Sequence, residues 1–301
     1  QSIINDFANI KSGIIRYLNN LNETKKRVRF ILATNNIIVS ENDIKRAAEN
    51  KILMFNQDDI SYYEQLSSHL GEASKYQLFG RIFSGQSIPS LKNRVPAIRG
   101  KMGGHTYYSF SIQPEKILKL SYILHNNTTS EEVVGTYQRM VNKKRILEIG
   151  TFLDSNDGGS GFFPNSIIVN FDSSGKKLVF DRHSSNHDVE DCTIGVLSLP
   201  DTFRSAFIID GQHRLYGYSK SKWKSKHTIP VVAFENLPVE NQVDMFVNIN
   251  HKQKSVSQNL LTTIKAELHW NSPIYNNAIF AVMAKLLMEL SNDNSSPLYG
   301  R

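Results

Sequence analysis

Phe207-Ile-Ile-Asp-Gly-Gln-His-Arg-Leu-Tyr-Gly217 is the stretch that decides the fold. Phe207, Ile208 and Ile209 read as a buried strand that ends at Asp210. Gly211 stands where the chain must turn sharply, and glycine enters the positive-φ region without steric cost. Gln212, His213 and Arg214 then open a helix expected over 213–221, with Gly217 on it as a point of close backbone approach. A strand passing through one glycine into a helix implies a sheet with a helix laid back on it. Working outward, Ile229–Phe234 reads as a further strand, and helices are expected over 238–247 and 273–291.

Upstream, Ile167–Phe171 and Lys177–Phe180 flank Ser-Ser-Gly and read as a β-hairpin, and 131–152 reads as largely helical. Thr106–Ile112 alternates as a strand beside the Gly103-Gly104 turn. Gly85, Pro89, Pro96 and Gly100 punctuate the chain before it and suggest a boundary. The first segment has its own pattern. Residues 2–22 carry Ile3, Ile4, Phe7, Ile10, Ile14, Ile15 and Leu18 at helical spacing. The short apolar runs Phe30–Ala33 and Ile52–Phe55 suit buried strands. Ser40, with Asp43 three positions on, caps a helix between them, and Asn56 precedes another from about Asp58. Strand, helix, strand, helix with short connections implies a parallel α/β unit. The expected class is α+β (mixed α/β), with one segment at 1–85 and a domain at 95–301.

Composition narrows the function classes. Hydrophobic residues make up 40 % and charged residues 21 %, which is globular rather than disordered. No apolar run approaches the roughly 18 residues that span a bilayer, so no membrane role is expected. One cysteine, Cys192, excludes an internal disulfide and a Cys-rich zinc site, and a cytoplasmic location is the default expectation. His183 and His187, with Asp188 and Asp191, come nearest to a metal set, but they sit in a polar loop pattern and no metal is expected. Thirty-five Lys and Arg against 28 Asp and Glu give +7, which favours polyanionic partners. The chain opens on Gln1, which reads as a fragment boundary.

The cluster Asp210, Gly211, Gln212, His213, Arg214 admits two readings. At a helix start, free N–H groups and the macrodipole favour an anion, and the Arg214 fork suits two phosphate oxygens. Alternatively Asp210 caps the helix, Arg214 pairs with it or another carboxylate, and the cluster is structural. Asn248 and Asn250, two amides on one face if extended, either contact a ligand or satisfy loop backbone, with Lys252 adding charge beside them. Asn165 either contacts ligand or closes a turn after Pro164. Gln138 and Arg139, beside Tyr137, either join the site or lie on a solvated helix. Lys220, Lys222, Lys224 and Lys226 interleave with Trp223, a pattern that suits backbone phosphates and a stacked base. A solvated basic loop with Trp223 against the body is the other reading.

Asp210-Gly-Gln-His-Arg214 resembles the motif that names the DGQHR-domain family, which includes DndB-type proteins linked to DNA phosphorothioation. Further similarity lies at Tyr137-Gln-Arg139 with Arg145-Ile146, at Phe162-Phe-Pro-Asn-Ser-Ile167 and at Phe246-Val-Asn-Ile-Asn250 with Lys252, covering roughly 95–290. The resemblance implies a ParB/sulfiredoxin-like fold whose corresponding turn handles nucleotide phosphates or supports DNA binding. It implies DNA and other proteins of a DNA-modification or defence system as partners. An enzymatic reading stays open, in which ATP or CTP with Mg²⁺ is hydrolysed and Asp210 or His213 is catalytic. So does a reading as a docking module. Residues 27–66 resemble the closing part of a restriction-endonuclease-like domain. On that analogy the catalytic half lies upstream of Gln1, and this chain has no nuclease activity of its own.

Overall fold

The computed structural model describes residues 3–21, 27–122, 142–155, 161–172, 177–183, 192–253, 262, 266, 269–270 and 275–299. The first segment keeps closely to its sequence pattern. Helix α1 (Ile3–Asn20) precedes strand β1 (Phe30–Ala33), α2 (Glu41–Glu49), β2 (Ile52–Phe55) and α3 (Gln57–Leu70). β1 and β2 pair in parallel, as a strand–helix–strand crossover requires. The Ser40 hydroxyl accepts from the Asp43 amide at the start of α2. Asn56 and Asp59 form a reciprocal capping box on α3. Ile4, Phe30, Ala47 and Ile52 form a small core of their own.

A 3₁₀ turn (Gly71–Ala73) and α4 (Ser74–Ile82) lead into a mixed sheet, eight-stranded among the described residues. Its strands are β3 (Arg94–Met102), β4 (His105–Ile112), β5 (Ser121–Tyr122), β6 (Ile167–Phe171), β7 (Val179–Arg182), β8 (Thr193–Ser198), β9 (Ala206–Asp210) and β10 (Ile229–Glu235). Across the sheet they run β5-β9-β6-β10-β4-β3-β8-β7. The helices beyond β4 are α5 (Pro114–Leu120), α6 (Lys143–Asp154), α7 (Gln212–Ser219), α8 (Val239–Gln253) and α9 (Tyr275–Asn292). The architecture is mixed α+β, as expected.

Alternation along the central strands divides the core between two faces. Ala206 and Ile208 of β9, with Val231 and Ala233 of β10, face a large cluster shared with α5, α6 and α7. Phe207, Ile209 and Phe234 face the other way, where α8 covers them with Val243, Phe246 and Val247. Helix α3 and the 3₁₀ turn after it supply Tyr62, Leu66, Leu70 and Ala73 to the large cluster. Part of the 1–85 segment therefore packs into the core of the eight-stranded sheet.

Two sequence readings change. Within the punctuated stretch, Arg94–Met102 is a strand, and Gly103 and Gly104, both at positive φ, form the hairpin turn into β4. Pro96 precedes the ladder to β4, which begins at Ala97, and lies opposite Val196 of β8 on the other edge. The hairpin expected between 167–171 and 177–180 does not form. Strand β6 has β9 on one edge and β10 on the other, so no edge is open, and Val179–Arg182 pairs with β8 instead. Asn248 and Asn250 are helical, because α8 runs on to Gln253, so the extended backbone that would set two amides on one face is not present there.

Candidate functional site

Strand β9 ends at Asp210 and the chain reverses at Gly211, which has φ 92°. A methyl group there would lie 2.5 Å from Ile167 Cδ1 and 3.1 Å from Arg214 Nη2, so both conformation and space demand glycine. Gln212, His213 and Arg214 form the first turn of α7, as the sequence implies. β6 runs antiparallel to β9, so the residues that lead into β6 lie beside the end of β9. That neighbour decides what Arg214 does.

The Arg214 guanidinium folds back over Gly211. Its Nη2 donates to Asp210 Oδ2 at 2.7 Å, and Nη1 donates to the carbonyls of Asn165 at 2.6 Å and Ser166 at 3.2 Å. The two charged side chains are only 18 % and 17 % exposed, so the pair is largely withdrawn from water. Asp210 does not cap α7; its carboxylate is spent on Arg214. Asn165 contributes its backbone carbonyl to the clamp, while its side chain belongs to an exposed residue.

His213 is also held within the chain. Its Nε2 accepts the Asn142 amide at 3.1 Å, which leaves Nδ1 to carry the proton of the neutral ring. Burial, and secondarily the nearby Arg145 cation, push its pKa down to about 4. His213 is therefore neutral at pH 7 and a hydrogen-bond acceptor. Asn142 in turn caps α6, its side chain accepting from the Arg145 amide. At the other end of the same helix, Asp154 Oδ1 accepts from the Ser221 hydroxyl at 2.8 Å, just past the end of α7. Helices α6 and α7 thus lie side by side in the same direction, tied at both ends. Between the ties Gly217 lets them touch: a methyl there would come 2.1 Å from Ile149 Cγ2.

The lysine segment comes directly after α7. The buried Ser221 hydroxyl also accepts the Trp223 amide at 3.1 Å. The Trp223 ring is half-buried and stacks on His227 with centroids 4.8 Å apart and planes at 21°. Lys222 and Lys226 place their ammonium groups 5.8 and 5.3 Å from the Trp223 centroid. Trp223 thus serves as a support for two cations, and one ring face is already occupied. Lys220, Lys222 and Lys226 are exposed and Lys224 is half-buried. The loop is fastened to the start of α5, since the Glu115 amide donates to the Lys224 carbonyl and Gln113 donates to the Ser225 carbonyl.

Gln113 and Glu115 also line a cleft of about 470 Å³, whose walls carry Lys92, Lys116 and Lys119 beside Tyr76 and Phe79. Glu115 pairs with Lys119 at 3.1 Å. Sequence reading did not single out Lys92, Lys116 or Lys119, which are scattered along the chain and converge only once α5 is in place. It also passed over Asn142, although an Asn directly before Lys143-Lys-Arg145 is a helix-capping signal.

Asn248 is exposed on α8, and no contact joins it to the turn among the described residues. Gln138 and Arg139 lie outside the described residues, as do the side chains of Asn250 and Lys252. Among the described residues no group of His, Cys, Asp and Glu is arranged to hold a metal ion. Asp210 is already neutralised by Arg214, so among the described residues the turn does not offer the oxygen set that Mg²⁺ takes. No helix is long and apolar enough to cross a membrane, among the residues described.

A family model named DndB, described as DNA-sulfur modification-associated, matches residues 95–275, more than half of the chain. Comparison with curated proteins and with solved structures gives no match.

Proposed function

The chain belongs to the DndB family of DNA-sulfur modification-associated proteins, and on that premise we propose that it grips the DNA backbone with the lysine loop 220–226 and the adjoining cleft. The observation that carries this reading is the placement of Lys222 and Lys226 over Trp223, exposed and fixed beside a cleft bearing Lys92, Lys116 and Lys119. Cations held in position lose little freedom on meeting phosphates, and each contact releases counterions from the duplex. The turn after β9 acts one step back. Arg214 and His213 hold α7 in place, and α7 delivers the loop. A direct Arg214 fork onto phosphate requires its bond to Asp210 to open first.

Within this reading, residues 95–301 form a DGQHR domain of ParB/sulfiredoxin-like character, preceded by a 1–85 segment. Parallel pairing of β1 with β2 across α2 suits the closing part of a restriction-endonuclease-like domain. The protein acts in the cytoplasm with other components of a DNA phosphorothioate-modification system. DNA binding is favoured over nucleotide hydrolysis because both groups suited to catalysis at the turn, Asp210 and His213, are engaged inside the chain.

The test is titration of a fluorescein-labelled DNA duplex, with and without phosphorothioate linkages, monitored by anisotropy across a salt series. Lys222→Glu with Lys226→Glu is expected to weaken binding and to reduce the slope of log K against log salt by about 2, one unit for each lost phosphate contact. Wild-type protein that ignores both duplexes, or a double variant with an unchanged slope, would overturn the proposal. Parallel titrations with ATP and CTP in Mg²⁺ decide the hydrolytic reading.

A further inference from the structure

Helix α9 (Tyr275–Asn292) presents its apolar residues the wrong way round for a helix of a lone chain. Its buried residues are small, Ala281 and Ala284, while Met283, Leu286 and Leu287 are 59 %, 54 % and 54 % exposed. Ile279, Phe280 and Val282 are exposed as well. At 100° per residue, Ile279, Val282, Met283, Leu286, Leu287 and Leu290 fall on one continuous stripe. Together these side chains expose roughly 500 Å², toward the upper end of the roughly 300–600 Å² of the largest apolar patch on a typical monomer, a size of patch that is often functional.

The spacing of the stripe says what covers it. Its members are symmetric about a point between Ala284 and Lys285. Laid antiparallel on a copy of itself, the helix sets Ile279 against Leu290, Val282 against Leu287 and Met283 against Leu286, so each large apolar side chain meets another. Only Lys285 and Glu289 are charged between Tyr275 and Asn292. Lys285 is drawn aside, its ammonium 4.2 Å from the Trp270 ring centroid. No like charges therefore face each other across the pair. A helix lying on a lipid surface would instead carry a basic polar face, which this helix lacks.

We propose that this stripe is the core of a two-fold homodimer, with α9 packed antiparallel on α9 of a second copy. Such a contact is isologous and closes on itself. Full contact across the pair buries up to about 1,000 Å² in its core, at the minimum for a biological interface and below the roughly 1,200–2,000 Å² of stable ones. The inference is independent of how the chain meets DNA.

Sedimentation velocity of the full chain over a concentration series tests it. The expected mass is twice 34.2 kDa. Met283→Asp with Leu286→Asp should raise the dissociation constant at least about thirtyfold while leaving the far-ultraviolet circular dichroism unchanged, since both positions are exposed. Cysteine pairs fix the direction of the helices. In a Cys192→Ser background, Ile279→Cys with Leu290→Cys should cross-link between copies on oxidation. Neither single cysteine should do so, because antiparallel packing sets the two copies of one position about 16 Å apart along the axis. A monomer at every concentration, a dimer that survives both aspartates, or cross-linking through one cysteine alone would each overturn the proposal.

Discussion

Replacing Arg214 with alanine separates a residue that holds the fold from one that holds the ligand. The guanidinium meets Asp210 and two carbonyls, and both charged side chains are less than a fifth exposed. Removing one member of a fully buried ion pair costs about 3–5 kcal/mol, because the other charge is stranded. The residual exposure of Asp210 brings that to about 2–3 kcal/mol after screening. Two carbonyls deprived of a donor add about 1 kcal/mol. Arg214→Ala should therefore lose about 3–4 kcal/mol in a urea titration monitored by circular dichroism. Adding Asp210→Ala removes the stranded charge and should recover at least about 1 kcal/mol of that loss, a coupling only paired side chains show. At low urea, where the single variant remains folded, its DNA affinity should stay within about threefold of wild type. The reasoning fails if Arg214→Ala keeps full stability and loses DNA binding, since the guanidinium would then be serving the ligand directly.

Two further outcomes are expected from the same region. The folded pKa of His213 lies near 4, below the ordinary value of about 6.5, so between those values the unfolded chain binds a proton that the folded chain refuses. The stabilisation is complete above pH 6.5 and lost as the pH falls toward 4. His213→Gln should flatten the stability profile across that window by about 2 kcal/mol, after discounting for the ring's partial exposure, and an unchanged profile would refute the assignment. Gly217→Ala forces a methyl against Ile149 and should cost about 1–3 kcal/mol in the same urea assay. Ile149→Ala in combination should relieve most of the strain, and a strictly additive double variant would place the cost elsewhere.

How far the sequence carried depends on whether a feature was local. The β9–α7 junction was legible because three apolar residues, one glycine and a polar first turn lie side by side in the chain. Ser40 was equally legible as a cap. Which job Arg214 performs was not, because its other partners are the Asn165 and Ser166 carbonyls, brought alongside only by the antiparallel pairing of β6 with β9. The hairpin between 167–171 and 177–180 looked sound locally and failed because both edges of β6 were taken from afar. The Asn248 and Asn250 pair suggests the period of a strand, although the helix that begins at Val239 continues through them. The lysines of the cleft, at 92, 116 and 119, carried no shared pattern until the fold gathered them.

The geometry also explains why polar residues gather at a junction whose guanidinium and imidazole turn inward. α7 is only two turns long, and a helix that short is not rigid by its own hydrogen bonds. It is held from outside, by Arg214 on the entry to β6, by His213 on the Asn142 amide, by Ser221 on Asp154, and by the bare backbone at Gly217 that admits Ile149. The lysine loop inherits that rigidity and passes it to Trp223, whose ring steadies Lys222 and Lys226. Loss of any one tie frees the helix end before it touches the lysines. On the proposed reading, the pentapeptide Asp210–Arg214 supports the lysine loop through position rather than contact, so changes within it that leave the chain folded should alter the dissociation rate by no more than about threefold and leave the number of phosphates engaged unchanged.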